Sequence, residues 1–315
     1  MTPPTTPPRA PRGPVAGIDC GTNTIKLLVL DEDGADLERE MRIVRLGQGV
    51  DRTGRLAEEA LERTFAAVEE YAALIARHGI DRADRVRFCA TSATRDAANA
   101  ADFAAGVRAR LGVAPEVVTG DEEAALAWAG ATRGLPGLAG PVVVLDIGGG
   151  STELVLGSGP TPDAAHSMDI GSVRMTERHL RSDPPTAPEV AACVADVDAA
   201  LDTCPVDPGA AVTMVGVAGT VTTLAAGVMG LTSYDRSATH GARLPVAQVH
   251  ALCDRLVGST AAERAEMAWL HPGRADVIAA GALVLSRVLA RSRVTELVVS
   301  EADILDGIAW SLLEG

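Results

Sequence analysis

The sequence predicts a mixed α/β fold made of two related halves, and three observations lead to it. Apolar runs with strand patterning alternate with stretches of helical periodicity along most of the chain, the pattern of sheet-and-helix folds. At 315 residues and 47% hydrophobic content, the chain can bury the cores of two domains of the usual size, roughly 100–200 residues each. One device occurs twice: an apolar strand ending in Asp, a Gly-rich turn carrying Thr, then a second apolar strand. Its aspartates, Asp19 and Asp146, stand 127 positions apart, a repeat long enough to signal a duplicated domain rather than a solenoid.

Taken in order, the opening MTPPTTPPRAPRGP is proline-rich and unpatterned, so residues 1–14 are expected to form a disordered tail. From Val15, VAGID, CGTNT and IKLLVLD read as strand, turn and strand, with Asp33-Gly34 offering another tight turn afterwards. A charged strand (EREMRIVRL) and a Gly-containing loop (GQGVDRTG) lead into LAEEALERTFAAVEEYAALIARHG, whose helical periodicity stops at Gly79, a suitable C-cap. RVRFCATSA reads as a strand and TRDAANAADFAAGVRARLG as helical. PEVVTG then runs up to Asp121-Glu122-Glu123, which open the helix EEAALAWAGATRG. The second half restarts with PVVVLD, IGGGST and ELVLG. Beyond it come a strand around SMDIGSVRMTE, a loop (RSDPPTAP), the helix AACVADVDAALDT and the strand AAVTMVGVAGT. Further helices, the strand ELVVSEAD and a terminal helix, ILDGIAWSLL, complete the chain.

A formal net charge of −14 disfavours a non-specific binder of nucleic acid or anionic membrane, which needs a basic surface. A polyanionic substrate remains compatible, provided a few cations and a metal ion gather locally. The five cysteines, Cys20, Cys89, Cys193, Cys204 and Cys253, show no CxxC pair and read as reduced. With no signal-peptide core and no apolar run near 18 residues, a cytoplasmic protein is expected.

In Asp19-Cys20-Gly21-Thr22-Asn23-Thr24 and Asp146-Ile147-Gly148-Gly149-Gly150-Ser151-Thr152, glycines let backbone amides approach phosphate oxygens while side chains add donors. Neither turn ends in GK[ST] and each is followed by a strand, so these are hairpin grips and not Walker or Rossmann loops. A plain tight turn would explain one of them; two in the same setting favour phosphate. Gly216-Val217-Ala218-Gly219-Thr220 is a third candidate, a strand passing into a helix start whose amides are free for an anion. Asp146 and Glu153 flank the second turn and suit Mg²⁺, which takes one or two carboxylates plus water and phosphate oxygens; the alternative leaves Glu153 on a solvated strand face. Phosphoanhydride hydrolysis also needs a carboxylate to orient water, and Glu122 and Glu123 lie at a helix start, where acidic residues also serve as simple dipole complements. Candidate phosphate-neutralising cations are Lys26, Arg45, Arg95 and Arg174, with Arg95 favoured because it follows an apolar strand into a Thr/Ser-rich turn.

Together these segments resemble the exopolyphosphatase/guanosine pentaphosphate phosphatase family of the actin, hexokinase and Hsp70 superfamily. The resemblance is carried by GIDCGTNTIKLLVLD, RLGQGVDRTGRL, ATSATRDAAN, VVTGDEEAALAW, VVVLDIGGGSTELVLG, GSVRMTE, GVAGTVTTLAA and VSEADILDGI, nearly the whole chain after the tail. It implies two RNase-H-like (actin-like ATPase) domains, 15–125 and 126–315, with the substrate in the cleft between them. The terminal helix 304–314 would pack back on the first domain or contribute to a homodimer face. It also implies Glu123 as the water-activating base, with Arg95 facing phosphate. Asp146 and Glu153 become the metal-associated acids, and Thr22, Asn23, Thr24, Gly148, Gly149, Gly150, Ser151 and Gly219 fall on phosphate-grip positions; Thr220 and Lys26 join them from the residue reading above. The implied cofactor is Mg²⁺, with Mn²⁺ as a substitute, and the implied substrate is inorganic polyphosphate, in short chains for a short member of the family. The alternative substrate is guanosine pentaphosphate, against which stands the scarcity of aromatics (3%) to stack a base. A sugar or acetate kinase would share the grips, and a phosphate or alarmone sensor would lack the base.

Overall fold

The computed structural model describes residues 13–314, so residues 1–12 of the expected tail lie outside the described residues. Two sheets carry the fold. The first holds β1 (Val15–Cys20), β2 (Thr24–Leu30), β3 (Asp36–Ile43), β4 (Val86–Ala90) and β5 (Glu116–Val117) in the order β3-β2-β1-β4-β5. The second holds β6 (Val142–Ile147), β7 (Thr152–Gly157), β8 (Ala164–Met168), β9 (Thr213–Val217), β10 (Arg243–Pro245) and β11 (Glu296–Val299) in the order β10-β11-β9-β6-β7-β8. In each, an antiparallel three-strand meander is extended on its first strand by parallel strands: β4 and β5 beside β1, β9 and β11 beside β6. Apart from the edge strand β10, the second sheet repeats the first, and the duplication read from the two Asp-Gly turns is a duplication of the whole sheet.

The burial of each strand explains its sequence. β1, β2, β6 and β7 are covered on both faces and read as nearly continuous apolar runs. β3 is an edge, and its run of Arg and Glu protects it from pairing with another chain. One face of the first sheet packs Ile18, Leu27 and Val29 against Val68, Tyr71, Phe88 and Phe103. The second packs Val143, Leu145, Leu154 and Met214 against the helices Ala187–Thr203 and Ile278–Arg291. Each such side chain contributes roughly 1.5–3 kcal/mol when fully buried.

On the other faces the halves exchange helices. The helix Gly120–Arg133 follows the first sheet but sets Ala124, Trp128 and Ala131 on the second, against Val144 and Val155. The terminal helix Ile304–Glu314 follows the second sheet but sets Leu305 and Ala309 on the first, against Val15, Leu28 and Leu30. Its Trp310, Leu312 and Leu313 also pack there, so its apolar face is covered by the chain itself. The division expected at 125/126 falls inside the Gly120–Arg133 helix.

The two exchanged helices touch through glycines. A Cβ on Gly130 would collide with the Asp303 carbonyl and one on Gly307 with that of Leu126, while one on Gly17 of β1 would lie 2.9 Å from the Ala309 nitrogen. All three obstacles are backbone, which cannot rotate away.

One local expectation is corrected. The strand anticipated around SMDIGSVRMTE ends at Met168, and Ser172–His179 is a helix. Its first amides have a better partner than a neighbouring strand: Ser172 donates to the Gly148 carbonyl, and Val173 and Arg174 donate to that of Gly149.

Replacing Gly130 or Gly307 by Ala is expected to lower unfolding stability by about 1–3 kcal/mol through overpacking against backbone. Gly49→Ala, where nothing lies within 4 Å, probes the separate cost of a positive φ (75°). Urea unfolding of the three variants checks the ranking.

Candidate active site

Registry places the two glycine hairpins on the same template. Asp19 pairs across its hairpin with Lys26, and Asp146 with Glu153. The Gly21 amide donates to the Thr24 carbonyl at 2.9 Å, and the Gly148 amide to the Ser151 carbonyl at 3.0 Å. In each turn the carbonyls are held from behind. Those of Thr22 and Asn23 accept from Gly47, Val44 and Arg45, while those of Gly148 and Gly149 accept from the start of the Ser172–His179 helix. The Arg174 guanidinium also donates to the Gly150 carbonyl, at 2.7 Å. Among the described residues, the amides of Thr22, Asn23, Gly149 and Gly150 have no acceptor, which leaves them for an anion.

The turns face each other at close range. A Cβ on Gly149 would lie 2.9 Å from the Thr22 side chain, and one on Gly150 would lie 2.6 and 2.7 Å from the hydroxyls of Thr22 and Ser92. Those hydroxyls are hydrogen-bonded to each other at 3.0 Å. Behind them a cavity of about 60 Å³ is lined by Asp19, Thr22, Asn23, Thr24, Lys26, Glu123, Asp146, Gly148, Gly149, Ser151, Gly219 and Thr220. Of the residues expected from sequence, Gly150, Glu153 and Arg95 stand just outside that lining. Gly150 belongs to the facing turn, while Glu153 pairs with Asp146 and Arg95 with Glu123.

The third wall is the end of β9, where Ala218 adopts φ 63°, a left-handed conformation that a residue with a side chain holds only under constraint. Directly beyond it, the guanidinium of Arg274 lies over Gly219, on the spot a Cβ there would need. Arg274 has no ion-pair or hydrogen-bond partner among the described residues, and burial lowers its pKa. The sequence reading missed it because it sits in a short turn, Pro272–Arg274, with no periodicity or Gly-rich signature around it. Its turn is tied to the first half by Arg45, which bonds Asp276 at 2.8 Å and the Gly273 carbonyl at 3.3 Å.

The adjacent glutamates separate cleanly. Glu122 faces outward to Arg87 at 2.9 Å. Glu123 is 7% exposed, lines the cavity and takes the Arg95 guanidinium at 3.2 Å. Burial first, then the charge of Glu153, raises the Glu123 carboxyl well above its ordinary range, with Arg95 opposing. Asp146 is raised in the same way by burial and by Glu153. Glu153, 1% exposed, is raised by burial even though the Ser167 hydroxyl donates to it at 2.6 Å. Burial would discharge Lys26, but Asp303 at 2.7 Å and Asp19 at 3.3 Å outweigh it and hold the ammonium charged. Lys26 thus spends most of its donors on acids. Arg174, the remaining candidate, bridges Asp51 and Asp96 on the first half.

Asp146 and Glu153 fit a hard divalent ion. Both are buried oxygen donors whose carboxyls burial raises, and Mg²⁺ binds through one or two carboxylates when water and phosphate complete its shell. Among the described residues no group of three or more His, Cys, Asp or Glu is arranged to hold a metal by itself.

The model of the Ppx/GppA phosphatase family matches residues 29–314. The chain belongs to that family. Exopolyphosphatase 2 of Mycobacterium tuberculosis is 49% identical over 318 aligned positions, covering 95% of this chain and 98% of the relative. A crystal structure of an exopolyphosphatase-like protein superposes with a TM-score of 0.92 at 46% identity, covering 96% of this chain and 99% of that one. The Aquifex aeolicus member of the Ppx/GppA family gives 0.79 at 32% identity over 96% and 99% of the two chains. The two-sheet, actin-like architecture is therefore the fold of the Ppx/GppA family.

This Ppx/GppA phosphatase has a second, larger cavity of about 260 Å³ beside the first, sharing Lys26, Ala218, Gly219 and Arg274 with it. Tyr234, Trp269 and His271 line it, and Tyr234 donates to Glu301 at 2.6 Å. Asp303 holds Lys26 and accepts the Leu305 amide at 3.0 Å, capping the terminal helix. Glu301 and Asp303 thus both have partners within the fold.

Two outcomes follow for this site. Arg274→Met is expected to lower kcat/KM by about 10²-fold, the worth of charge-assisted hydrogen bonds to phosphate, with thermal stability maintained; steady-state kinetics and melting curves check it. Glu123→Gln is expected to melt above the parent in chelator at neutral pH. A carboxyl with a folded pKa above its unfolded value, near ~4.3, costs stability once pH exceeds the latter, and Gln carries no such cost. The difference should shrink as pH falls through the raised pKa and vanish below about pH 4.

Proposed function

We propose that this chain is a metal-dependent exopolyphosphatase that hydrolyses the terminal phosphate of inorganic polyphosphate, favouring short chains. The observation carrying the reading is the narrow cavity of about 60 Å³, which gathers three amide-presenting turns, one buried glutamate and a divalent-ion carboxylate around room for little more than a phosphate end. The amides and hydroxyls of Thr22, Asn23, Thr24, Gly148, Gly149, Gly150, Ser151, Gly219 and Thr220 hold the terminal and penultimate phosphates. Lys26, Arg95 and Arg274 add positive charge. Asp146 and Glu153 hold Mg²⁺ or Mn²⁺, which when bound offsets charge on the phosphate oxygens. Glu123 orients a water molecule in line with the terminal phosphorus and takes its proton as the new P–O bond forms. The bridging P–O bond breaks, and the shortened chain leaves as an anion stabilised by the surrounding amides.

The two sheets are read as lobes, 15–125 and 126–315, that close on the chain end. A cytoplasmic setting is supported by five free cysteines, four of them buried. No helix among the described residues is long and apolar enough to cross a membrane.

A second reading, guanosine pentaphosphate 5′-phosphohydrolase, is supported by the 260 Å³ cavity. Scarce as aromatics are in this chain, Tyr234 and Trp269 gather with His271 where a base attached to the held phosphates would lie.

Phosphate release with Mg²⁺ is measured on short polyphosphate, long polyphosphate, guanosine pentaphosphate and ATP, each with and without chelator. Chelator-sensitive release from polyphosphate, fastest on short chains and reduced at least ~10³-fold in Glu123→Gln, is expected. Release from guanosine pentaphosphate alone would replace this reading with the second. Undiminished turnover in Glu123→Gln would remove Glu123 from the mechanism.

A further inference from the structure

The duplicated hairpins share one register but differ in charge at the position facing each Asp. Asp19 and Asp146 are equivalent, and so are the turn bonds Gly21 to Thr24 and Gly148 to Ser151. The residue facing each Asp across its hairpin, however, is Lys26 in the first and Glu153 in the second. Asp19, Lys26 and Asp146 line one cavity, with Glu153 just behind its wall as the cross-strand partner of Asp146. Two-metal phosphoryl-transfer sites place a cation on each side of the reacting phosphate. Here the second hairpin offers two acids for an ion, and the first offers an acid with a cation already attached. The Lys26 ammonium is fixed by Asp303 at 2.7 Å and Asp19 at 3.3 Å and is mostly buried, so it is a placed charge and not a mobile one.

We infer that Lys26 is a built-in replacement for a second divalent ion, so that this enzyme works with one ion where its duplicated architecture could hold two. The inference rests on the reading that Asp146 and Glu153 hold the metal. The charges are consistent with it. Asp19, Glu123, Asp146, Glu153 and Asp303 set five carboxylates, when ionised, against Lys26, Arg95 and Arg274, and the remaining two negative charges are offset by one divalent ion. Lys26→Glu gives the first hairpin the Asp/Glu pair of the second and adds two negative charges, the deficit that one more divalent ion fills.

The test counts ions in the absence of substrate. Mn²⁺ bound to purified protein is titrated by electron paramagnetic resonance, and melting temperature is followed in chelator and in Mn²⁺. Wild type is expected to bind one ion, and the double variant Asp146→Asn/Glu153→Gln none. Lys26→Glu is expected to bind two, with a larger rise in melting temperature on adding Mn²⁺ than wild type shows. If Lys26→Glu folds only with Mn²⁺ present, the count is made after refolding in it. Lys26→Gln, a milder change, is expected to bind a second ion more weakly, and Lys26→Arg to stay at one. Two ions on wild type, or one on both Lys26→Glu and Lys26→Gln, would overturn the role of Lys26 while leaving Asp146 and Glu153 in place. No ion on wild type would remove the metal reading beneath it and the inference with it.

Discussion

The constraint on which the rest depends is the close approach of two glycine turns. Thr22 and Asn23 meet Gly149 and Gly150 so tightly that a single methyl group on either glycine would strike side chains of the opposite turn. Everything around them serves that approach. The loop after β3 and the helix at Ser172 pull the turn carbonyls backward, which turns both sets of amides to a common point. The exchanged helices Gly120–Arg133 and Ile304–Glu314 cross at glycines, and each belongs by sequence to one sheet and by packing to the other. The same crossing delivers Glu123 from the start of one helix and Asp303 from just before the other.

The site is charged at the expense of its own comfort. Burial raises the carboxyls of Glu123, Asp146 and Glu153, and the charges of Arg95 and Lys26 with the hydroxyls of Ser167 and Ser151 offset it only in part. On the proposed reading, a divalent ion bound by this cluster would remove a cost that folding has already incurred. Lys26 plays the complementary part on the opposite hairpin, where its ion pairs leave Asp303 below its ordinary range, burial being outweighed by the ammonium. Arg274 lines the same cavity with no side-chain partner among the described residues, which is why the proposed function gives it the substrate.

What could be read from the sequence, and what could not, divides by physical cause. The hairpins, the long helix ending near Gly79 and the duplication were legible because they rest on local patterning and on glycine turns with chemistry attached. The candidate grip residues and Asp146 came from the same turns, and the structure brings all of them except Gly150 to one cavity. Local patterning did not separate the adjacent acids Glu122 and Glu123, between which the family resemblance chose Glu123; it is the helix's placement that turns one to Arg87 and the other inward. The helix at Ser172 was misread as strand because its first amides are satisfied by Gly148 and Gly149, far away in sequence. Arg274 and the cavity with Tyr234 and Trp269 depend on tertiary packing alone, and composition pointed away from them.

The central claim is that water, directed by Glu123, attacks the terminal phosphorus. Turnover of polyphosphate in ¹⁸O-labelled water, with the released orthophosphate examined by mass spectrometry, tests it most directly. The account predicts one labelled oxygen in each orthophosphate released and none in the shortened chain. Unlabelled orthophosphate, or phosphate transferred to an added sugar or acetate acceptor, would contradict it.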